Sequence, residues 1–212
     1  MSARRYTERN QTQMVNRKQT GKRSVERQTI VDAAARLFRA KGYHATSMAD
    51  IGAAVGRLGG SLYYHVESKE GLLYEIVEVA TRDLLAGVRD LSRAPTSPAD
   101  RLRAAIISHL RLCAARSDYA VVFLNEIPNL RDIHRRHTLL QLVKHYEDFF
   151  CRVIEDGMIA GEFRKGLDVK VTAYAILGMG NWALRWFRPE GRLSIERIAA
   201  GFADLVIEGL RP

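Results

Sequence analysis

The densest group of hydrogen-bonding side chains in the chain lies between residues 61 and 69. Leu62 is the main apolar residue of its first half, and the side chains around it are polar: Ser61, Tyr63, Tyr64, His65 and Lys69. A core helix needs more apolar residues than this. Hydroxyl, imidazole and ammonium groups on a short helix can instead bond phosphates and reach base edges. The pattern therefore predicts a helix that presents polar groups to a nucleic acid.

A second short helix is predicted immediately upstream. Ser47 and Asp50 form a capping-box pattern, in which a hydroxyl and a carboxylate three residues apart bond the free amides of a first turn. Gly56 offers a permissive backbone on which this helix can end. Apolar residues recur on one face between these points, at Met48, Ile51 and Val55. We expect a helix of about two turns from Met48, a glycine turn, the polar helix and a further helix capped by Ser68.

Two short helices joined by a glycine turn are typical of a DNA-reading unit, although an amphipathic hairpin in any helical domain has the same pattern. The charge distribution favours DNA. The net charge is +9, and residues 1–27 hold eight Lys and Arg against two Glu, so +6 of it lies there. Such a basic segment attracts a polyanion without specifying sequence. Residues 1–24 have too few apolar residues to fold alone, and we expect a basic flexible arm that either enters the minor groove or stays solvated.

The exact residue sequence of this region is more specific than its helix-turn-helix pattern. The chain reads Ser-Leu-Tyr-Tyr-His-Val-x-Ser-Lys-Glu-x-Leu from Ser61 to Leu72, after Thr46 and the string Ile-Gly-x-x-x-Gly that ends at Gly56. These strings resemble the tetracycline-repressor (TetR) family of bacterial transcriptional regulators. The resemblance extends upstream to residues that match the family's first helix and the following turn: Ile30, Ala33, Ala34, Leu37, Phe38, Gly42 and Tyr43.

The resemblance implies a role for each matching position. It implies that Thr46, Tyr64, His65 and Lys69 hold phosphates, with Ser47 in the same DNA-binding set. Residues expected to meet bases or the groove wall are Arg57, Gly59, Ser61 and Tyr63. Tyr64 has an alternative interpretation as a packing residue.

The rest of the chain is also predicted to be helical, and no alternation of period two indicates a strand. The breaker-rich segment from Arg93 to Pro98 separates a helix that runs from Ser68 to about Leu91 from the next one. Further helices are expected over 98–113, 119–126, 130–160, 168–188 and 194–210. The fold class is therefore all-α, with about nine helices.

We predict three regions: the arm over 1–24, a helix-turn-helix DNA-binding domain over 25–85 with its motif at about 48–67, and a ligand-binding and dimerisation domain over 86–212. The helix from Ser68 belongs to both domains and would be the mechanical link between them. The two reading helices of a symmetric dimer must lie about one DNA turn apart, so a ligand that moves this helix would release a palindromic operator.

The last two helices are predicted to form the dimer interface. Each has a broad apolar face at helical spacing, and the interface candidates are Val171, Ala175, Gly178, Met179, Ile198, Phe202 and Val206. Gly178 and Gly180 lie inside a predicted helix, where each glycine costs roughly 1 kcal/mol relative to alanine. Close helix approach between subunits would explain that cost, and burial within one subunit is the alternative.

The segment from Gly178 to Gly191, with its Gly-Met-Gly-Asn-Trp and Arg-Trp-Phe-Arg-Pro strings, resembles a TetR branch that responds to acyl-coenzyme A thioesters of fatty-acid, aromatic-acid or steroid breakdown. Tryptophan suits an apolar or adenine contact, and arginine suits phosphate. The ligand-binding candidates are Phe123, Tyr146, Phe150, Leu177, Trp182 and Arg185. The interpretation as ordinary core residues stays open for most of them.

Other classes of function have weaker support. An efflux-pump repressor that binds lipophilic drugs is the alternative, and it would need buried acids such as Glu126, Glu147 or Asp148. No nucleophile motif or phosphate loop indicates an enzyme. His134 and His137 could join a metal site, but three neighbouring arginines disfavour one, so no metal and no cofactor is expected. Cys113 and Cys151 are predicted to be buried thiols. Without a signal or membrane-spanning segment, a cytoplasmic protein is expected.

Overall fold

The computed structural model describes residues 26–56, 62–64 and 66–212. The described residues contain α-helices, two short 3-10 helices and no strand. The α-helices are α1 (26–41), α2 (Met48–Ala54), α3 (Lys69–Arg89), α4 (Pro98–Ala115), α5 (Ser117–Glu126), α6 (Ile133–Ile159), α7 (Val169–Trp186) and α8 (Ile195–Leu210). The all-α prediction is confirmed. The chain divides into two compact units, Met1–Ile76 and Val77–Pro212.

In the first unit, the predicted start of α2 is confirmed. The Asp50 amide donates to Ser47 Oγ at 3.0 Å, and the Ser47 amide donates to Asp50 Oδ2 at 2.8 Å. The bonds that the Ser47 amide and hydroxyl donate to Asp50 Oδ2 lower the pKa of the Asp50 carboxyl because they favour its charged form. α2 ends at Ala54, and the chain turns at Gly56, whose φ of 67° is a conformation that glycine adopts without steric cost. Leu62 is fully buried and is the inward anchor that the sequence predicts.

The second unit is built around α4, which packs against α5, α6, α7 and α8. Its core includes Leu102 and Ile106 of α4 and the aromatic pair Phe149 and Phe150 of α6. The two rings meet edge to face with centroids 5.5 Å apart, a favoured aromatic geometry. Close packing of this kind fixes the position of α4 relative to its neighbours.

The ends of the later helices follow local chemistry. Ser97, Asp168 and Ser194 accept amide bonds at the starts of α4, α7 and α8. The long helix predicted from Leu130 begins at Ile133, because Asp132 accepts bonds from the first free amides. In the described part of the chain, no helix has the length and apolar character needed to cross a bilayer.

Candidate DNA-reading surface and effector cavity

Two exposed tyrosines dominate the described part of the DNA-reading segment. Tyr63 is 57% exposed and Tyr64 72% exposed, and both follow the buried Leu62 directly. A tyrosine that packs into the domain would be buried, so the exposure of Tyr64 argues against the packing interpretation. The assignment of Tyr64 to a phosphate stays a prediction.

Thr46 and Ser47 have opposite environments although they are neighbours. Thr46 is 1% exposed, and its hydroxyl donates to the Gly42 carbonyl at 2.9 Å. The Thr46 hydroxyl therefore closes the turn after α1 inside the unit, and its phosphate role stays a prediction. Ser47 is exposed at the amino-terminal end of α2. A helix amino terminus attracts anions, so Ser47 is the better-placed residue of the two.

Lys69 is bonded within the first unit. Its ammonium donates to the carbonyls of Tyr43 at 2.9 Å and Thr46 at 2.8 Å, and lies 4.4 Å from the centroid of the Tyr43 ring. A lysine ammonium has three donors, and a third carbonyl, that of His44, lies 3.5 Å from it. These bonds tie the start of α3 to the turn before α2, and the phosphate role of Lys69 stays a prediction. Four further predicted DNA contacts lie outside the described residues: Arg57, Gly59, Ser61 and His65.

A cavity of about 240 Å³ lies in the second unit. Helices α3 to α7 all contribute to its wall, and three of the predicted ligand residues line it: Phe123, Tyr146 and Leu177. Most of the other lining side chains are apolar, among them Leu84 and Leu112. Concave apolar sites with a few polar groups are the usual form of small-molecule sites. The cavity can accept an apolar ligand.

A polar cluster interrupts this apolar wall: His109 of α4, Tyr146 of α6 and Asn181 of α7. His109 is buried, and its Nδ1 lies 3.0 Å from the Tyr146 hydroxyl. Burial lowers the pKa of the imidazole to about 4, with the Asn181 side chain opposing that shift. Burial also raises the pKa of the Tyr146 phenol well above its usual value and that of the Cys113 thiol, 3.8 Å from His109 Nε2, to about 12. The cluster is therefore uncharged at neutral pH.

Charged groups also line the cavity, but they reach solvent. Arg116 Nε lies 3.0 Å from Asp83 Oδ2, with the two side chains 46% and 35% exposed. The Tyr174 hydroxyl donates to Glu147 Oε2 at 3.3 Å. All four residues line the cavity. One part of the wall thus carries buried neutral groups, and another carries partly solvated charges.

The remaining ligand candidates do not line the cavity. Phe150 is fully buried among core aromatic residues and is a packing residue. Trp182 is 61% exposed on α7, where the Arg185 guanidinium lies 5.1 Å from its ring centroid. Trp182 and Arg185 therefore lie outside the cavity lining. Their predicted contacts with adenine and phosphate concern a ligand outside the cavity and stay predictions.

The predicted dimer residues divide between surface and core. Val171, Ala175 and Gly178 are exposed on α7, and Met179, Phe202 and Val206 are partly exposed. Ile198 is 6% exposed within one subunit, so the prediction for this residue is corrected: it packs in its own core. The outer face of α7 also carries Tyr174, Trp182 and Trp186 as exposed aromatic side chains.

The two interior glycines of α7 have different surroundings. A Cβ on Gly178 would meet no atom within 4 Å, whereas a Cβ on Gly180 would lie 2.6 Å from His109 Cδ2 and 2.9 Å from Nε2. Gly180 therefore allows α7 to approach the His109 ring within one subunit, which is the alternative interpretation for that residue. Gly178 faces open space and stays a candidate for the interface.

The sequence interpretation missed the cavity's polar residues. His109 lies on an apolar stripe of α4, where a single histidine among aliphatic residues is the signal that could have identified it. Asn181 follows Gly180, and the absence of a side chain at that glycine brings α7 against His109. His134 and His137 are exposed, and no cluster of His, Cys, Asp or Glu suited to a metal occurs among the described residues. Cys113 is buried, whereas Cys151 is only partly buried, and both thiols are free.

Comparison with known proteins agrees with these features. Residues 30–76 match the profile described as bacterial regulatory proteins, tetR family, and residues 95–210 match that of the tetracyclin repressor-like C-terminal domain. The HTH-type transcriptional repressor KstR2 of Rhodococcus jostii is 30% identical over 192 residues, covering 90% of this chain and 94% of the relative.

Two solved structures are also similar. The ketosteroid transcriptional regulator KstR2 of Mycobacterium tuberculosis has a TM-score of 0.83 at 26% identity, covering 88% of this chain and 95% of that one. AibR in complex with isovaleryl coenzyme A and operator DNA has a TM-score of 0.76 at 31% identity, covering 85% of this chain and 97% of that one. The profile of the tetracyclin repressor-like C-terminal domain, which matches residues 95–210, alone spans more than half of the chain. The chain belongs to the TetR family and is a ligand-responsive, DNA-binding transcriptional regulator.

Proposed function

We propose that the protein is a homodimeric repressor that binds a palindromic operator and leaves it when an acyl-CoA thioester occupies the cavity. The observation that carries this proposal is the contact between the cavity and α3. Ala80, Asp83 and Leu84 of α3 line the cavity, and the same helix begins at Lys69, which is bonded to the turn before α2. A ligand that displaces α3 acts on a helix that continues into the DNA-reading unit.

The size of the cavity supports a small acyl group. An apolar cavity of about 150 Å³ holds one benzene ring, so about 240 Å³ holds a short branched chain or a single ring with a substituent. The nucleotide of coenzyme A must then lie outside. AibR has been solved with isovaleryl coenzyme A, a thioester whose acyl group is of this size. The exposed Trp182 and Arg185 pair, one turn beyond Gly178 on α7, would contact the nucleotide.

The charges at the cavity bear on both effector classes. Asp83 pairs with Arg116, whereas the Tyr174 hydroxyl that donates to Glu147 is neutral and leaves the charge of that carboxylate in place for a cation. An anionic group of a ligand could instead pair with Arg116 by replacing Asp83.

On the DNA side we assign contacts to Ser47, Tyr63 and Tyr64 and retain Arg57, Gly59, Ser61 and His65. The proposed organisation is the basic arm over 1–24, the DNA-binding domain over 25–85 and the effector and dimerisation domain over 86–212. The exposed apolar face of α7, with Phe202 and Val206 of α8, would form the dimer interface. Operator binding places the protein in the cytoplasm at the nucleoid, and a sensor of this kind performs no catalysis.

A gel shift on the DNA upstream of the gene tests the proposal. Wild-type protein should bind at physiological salt, and Tyr64→Ala should bind at least ten-fold more weakly at unchanged thermal stability. Ile159→Ala, a change at another exposed apolar side chain (85% exposed), is the matched control and should bind normally. Undiminished binding by Tyr64→Ala would contradict the assignment of the reading surface.

The same protein–DNA complex tests which class of effector releases the protein. Isovaleryl-CoA should release the DNA, whereas free coenzyme A should not. Release by rhodamine 6G alone would support the drug-responsive alternative. Release by none of these, together with hydrolysis of the thioester by purified protein, would contradict both the effector class and the absence of catalysis. Light scattering of the protein in solution reports the expected dimer mass.

A further inference from the structure

The uncharged polar cluster in the cavity wall points to a specific chemical feature of the effector. We propose that Tyr146 and Asn181, held by His109, form a subsite for an uncharged oxygen on the buried end of the effector, such as a ketone carbonyl or a hydroxyl. The inference deepens the proposed function and rests on it for the location of the ligand. The acyl group of the effector would therefore carry an oxygen atom.

Burying the polar cluster against a hydrocarbon ligand costs free energy. A purely hydrocarbon ligand is best served by a purely apolar wall, because polar groups buried against it lose water without a replacement partner. His109 is 5% exposed and Tyr146 is 4% exposed, and both line the cavity together with Asn181. Three polar side chains from three different helices converge on one apolar space, which is the usual way in which a site fixes the orientation of its ligand.

The hydrogen-bond donors of the cluster can be counted for each tautomer of His109. His109 is neutral, so one ring nitrogen carries hydrogen and the other accepts. If Nδ1 carries it, the bond to the Tyr146 oxygen uses that hydrogen, and the phenol proton points elsewhere. If Nε2 carries it, Tyr146 donates to Nδ1 and Nε2 lies 3.8 Å from Cys113 Sγ. The Asn181 side chain, which also lines the cavity, then supplies an NH₂ donor. Either tautomer leaves one donor for an acceptor in the cavity.

An ionised group of the ligand does not fit at this position. A carboxylate on the buried end of a ligand would need a cation or several donors in place of water. The cluster itself supplies none, because His109 does not accept a proton at neutral pH. The cation in the cavity wall is Arg116, and it is partly solvated and paired with Asp83. A neutral oxygen is the group that this part of the wall can satisfy.

The test compares thioesters that differ by a single ketone: cyclohexanecarbonyl-CoA and 4-oxocyclohexanecarbonyl-CoA. Calorimetry on the full-length wild type should give about ten-fold tighter binding of the keto compound, the effect of one well-made hydrogen bond in a dry site. Tyr146→Phe and Asn181→Leu, together or singly, should reduce the ratio to about two-fold. Phe123→Leu is the control in the apolar wall; it should weaken both thioesters equally and leave the ratio unchanged.

Equal binding of the two thioesters by the wild type, or an unchanged ratio in the Tyr146→Phe, Asn181→Leu double variant, would overturn the inference while leaving the thioester proposal intact. Binding of neither thioester would instead contradict the proposed function. If neither thioester binds, a protein-detected NMR titration with cyclohexanone tests the subsite by itself. The inference expects shifts of the His109 ring signals and binding weakened by Tyr146→Phe but not by Ile159→Ala; the absence of such shifts refutes it.

Discussion

Replacing each interior glycine of α7 by alanine separates two roles that the sequence does not distinguish. Gly178 and Gly180 lie in the same helix, so each substitution gains helix propensity of about 1 kcal/mol. A Cβ at position 178 meets open space, whereas one at position 180 would lie 2.6 Å and 2.9 Å from two atoms of the His109 ring. The ring is buried and bonded to Tyr146, so it cannot swing away without breaking that bond.

The magnitude follows from the difference between the two variants, in which the propensity gain cancels. Overpacking by one methyl group in a well-packed interior costs about 1–3 kcal/mol. Gly180→Ala should therefore be less stable than Gly178→Ala by about 1–3 kcal/mol. For a protein of this size the same difference corresponds to about 2–12 °C in melting temperature. Urea unfolding at a fixed protein concentration measures it directly.

A second readout makes the comparison independent of subunit association. Gly180→Ala should shift the NMR signals of the His109 ring and weaken binding of a keto thioester. Gly178→Ala, whose added Cβ meets no atom within 4 Å, should leave the His109 signals unchanged. If Gly178 lies in the proposed interface, its substitution weakens the dimer on dilution. Equal stability of the two variants with unperturbed His109 signals would refute the reasoning.

Four further predictions follow from the described contacts. The unfolded state takes up a proton at His109 near pH 6.5 and the folded state only near pH 4, so stability should fall by about 1.4 kcal/mol per unit as pH decreases between these values; a His109→Gln variant should lack this slope in urea unfolding. Ser47→Ala should cost about 0.5–2 kcal/mol through loss of the cap and should weaken operator binding in the gel shift. Lys69→Met should lower the stability of the DNA-reading unit, measured by hydrogen exchange, whereas Tyr64→Ala should not. Trp182→Ala should weaken thioester binding at an unchanged dimer mass if it contacts the nucleotide, and dissociated subunits in light scattering would place it in the dimer interface instead.

Helix positions could be predicted from the sequence because their signals are local. Ser47 with Asp50 predicts the start of α2, and both capping bonds are present as expected. Ser97 and Ser194 likewise accept amide bonds at the starts of α4 and α8. The assignment of each face to a neighbour could not be predicted, because periodicity identifies an apolar stripe without saying what covers it. Ile198 belongs to such a stripe and packs in its own subunit.

The DNA-reading residues show a similar limit. The family's motif identifies the positions but not the direction in which each side chain points. Thr46 and Ser47 are adjacent hydroxyl residues, yet only Ser47 reaches the surface. Lys69 has the charge expected of a phosphate ligand, but its contacts with the Tyr43 and Thr46 carbonyls depend on a turn 23 to 26 residues away. No local pattern could have revealed them.

The geometry of α7 relates the cavity to the proposed dimer interface. Residues in an α-helix are 100° apart, so Gly178 and Gly180 are separated by about 200° and cannot serve the same face. Tyr174, Leu177, Gly178 and Asn181 follow a spacing of three, four and seven residues and all line the cavity, while Gly178 also lies on the exposed face. A ligand that contacts both α3 and this stripe touches the helix that enters the DNA-reading unit and the helix proposed to pair the subunits. We therefore propose that a bound ligand acts through both helices on operator binding, which requires a fixed separation of the two reading helices.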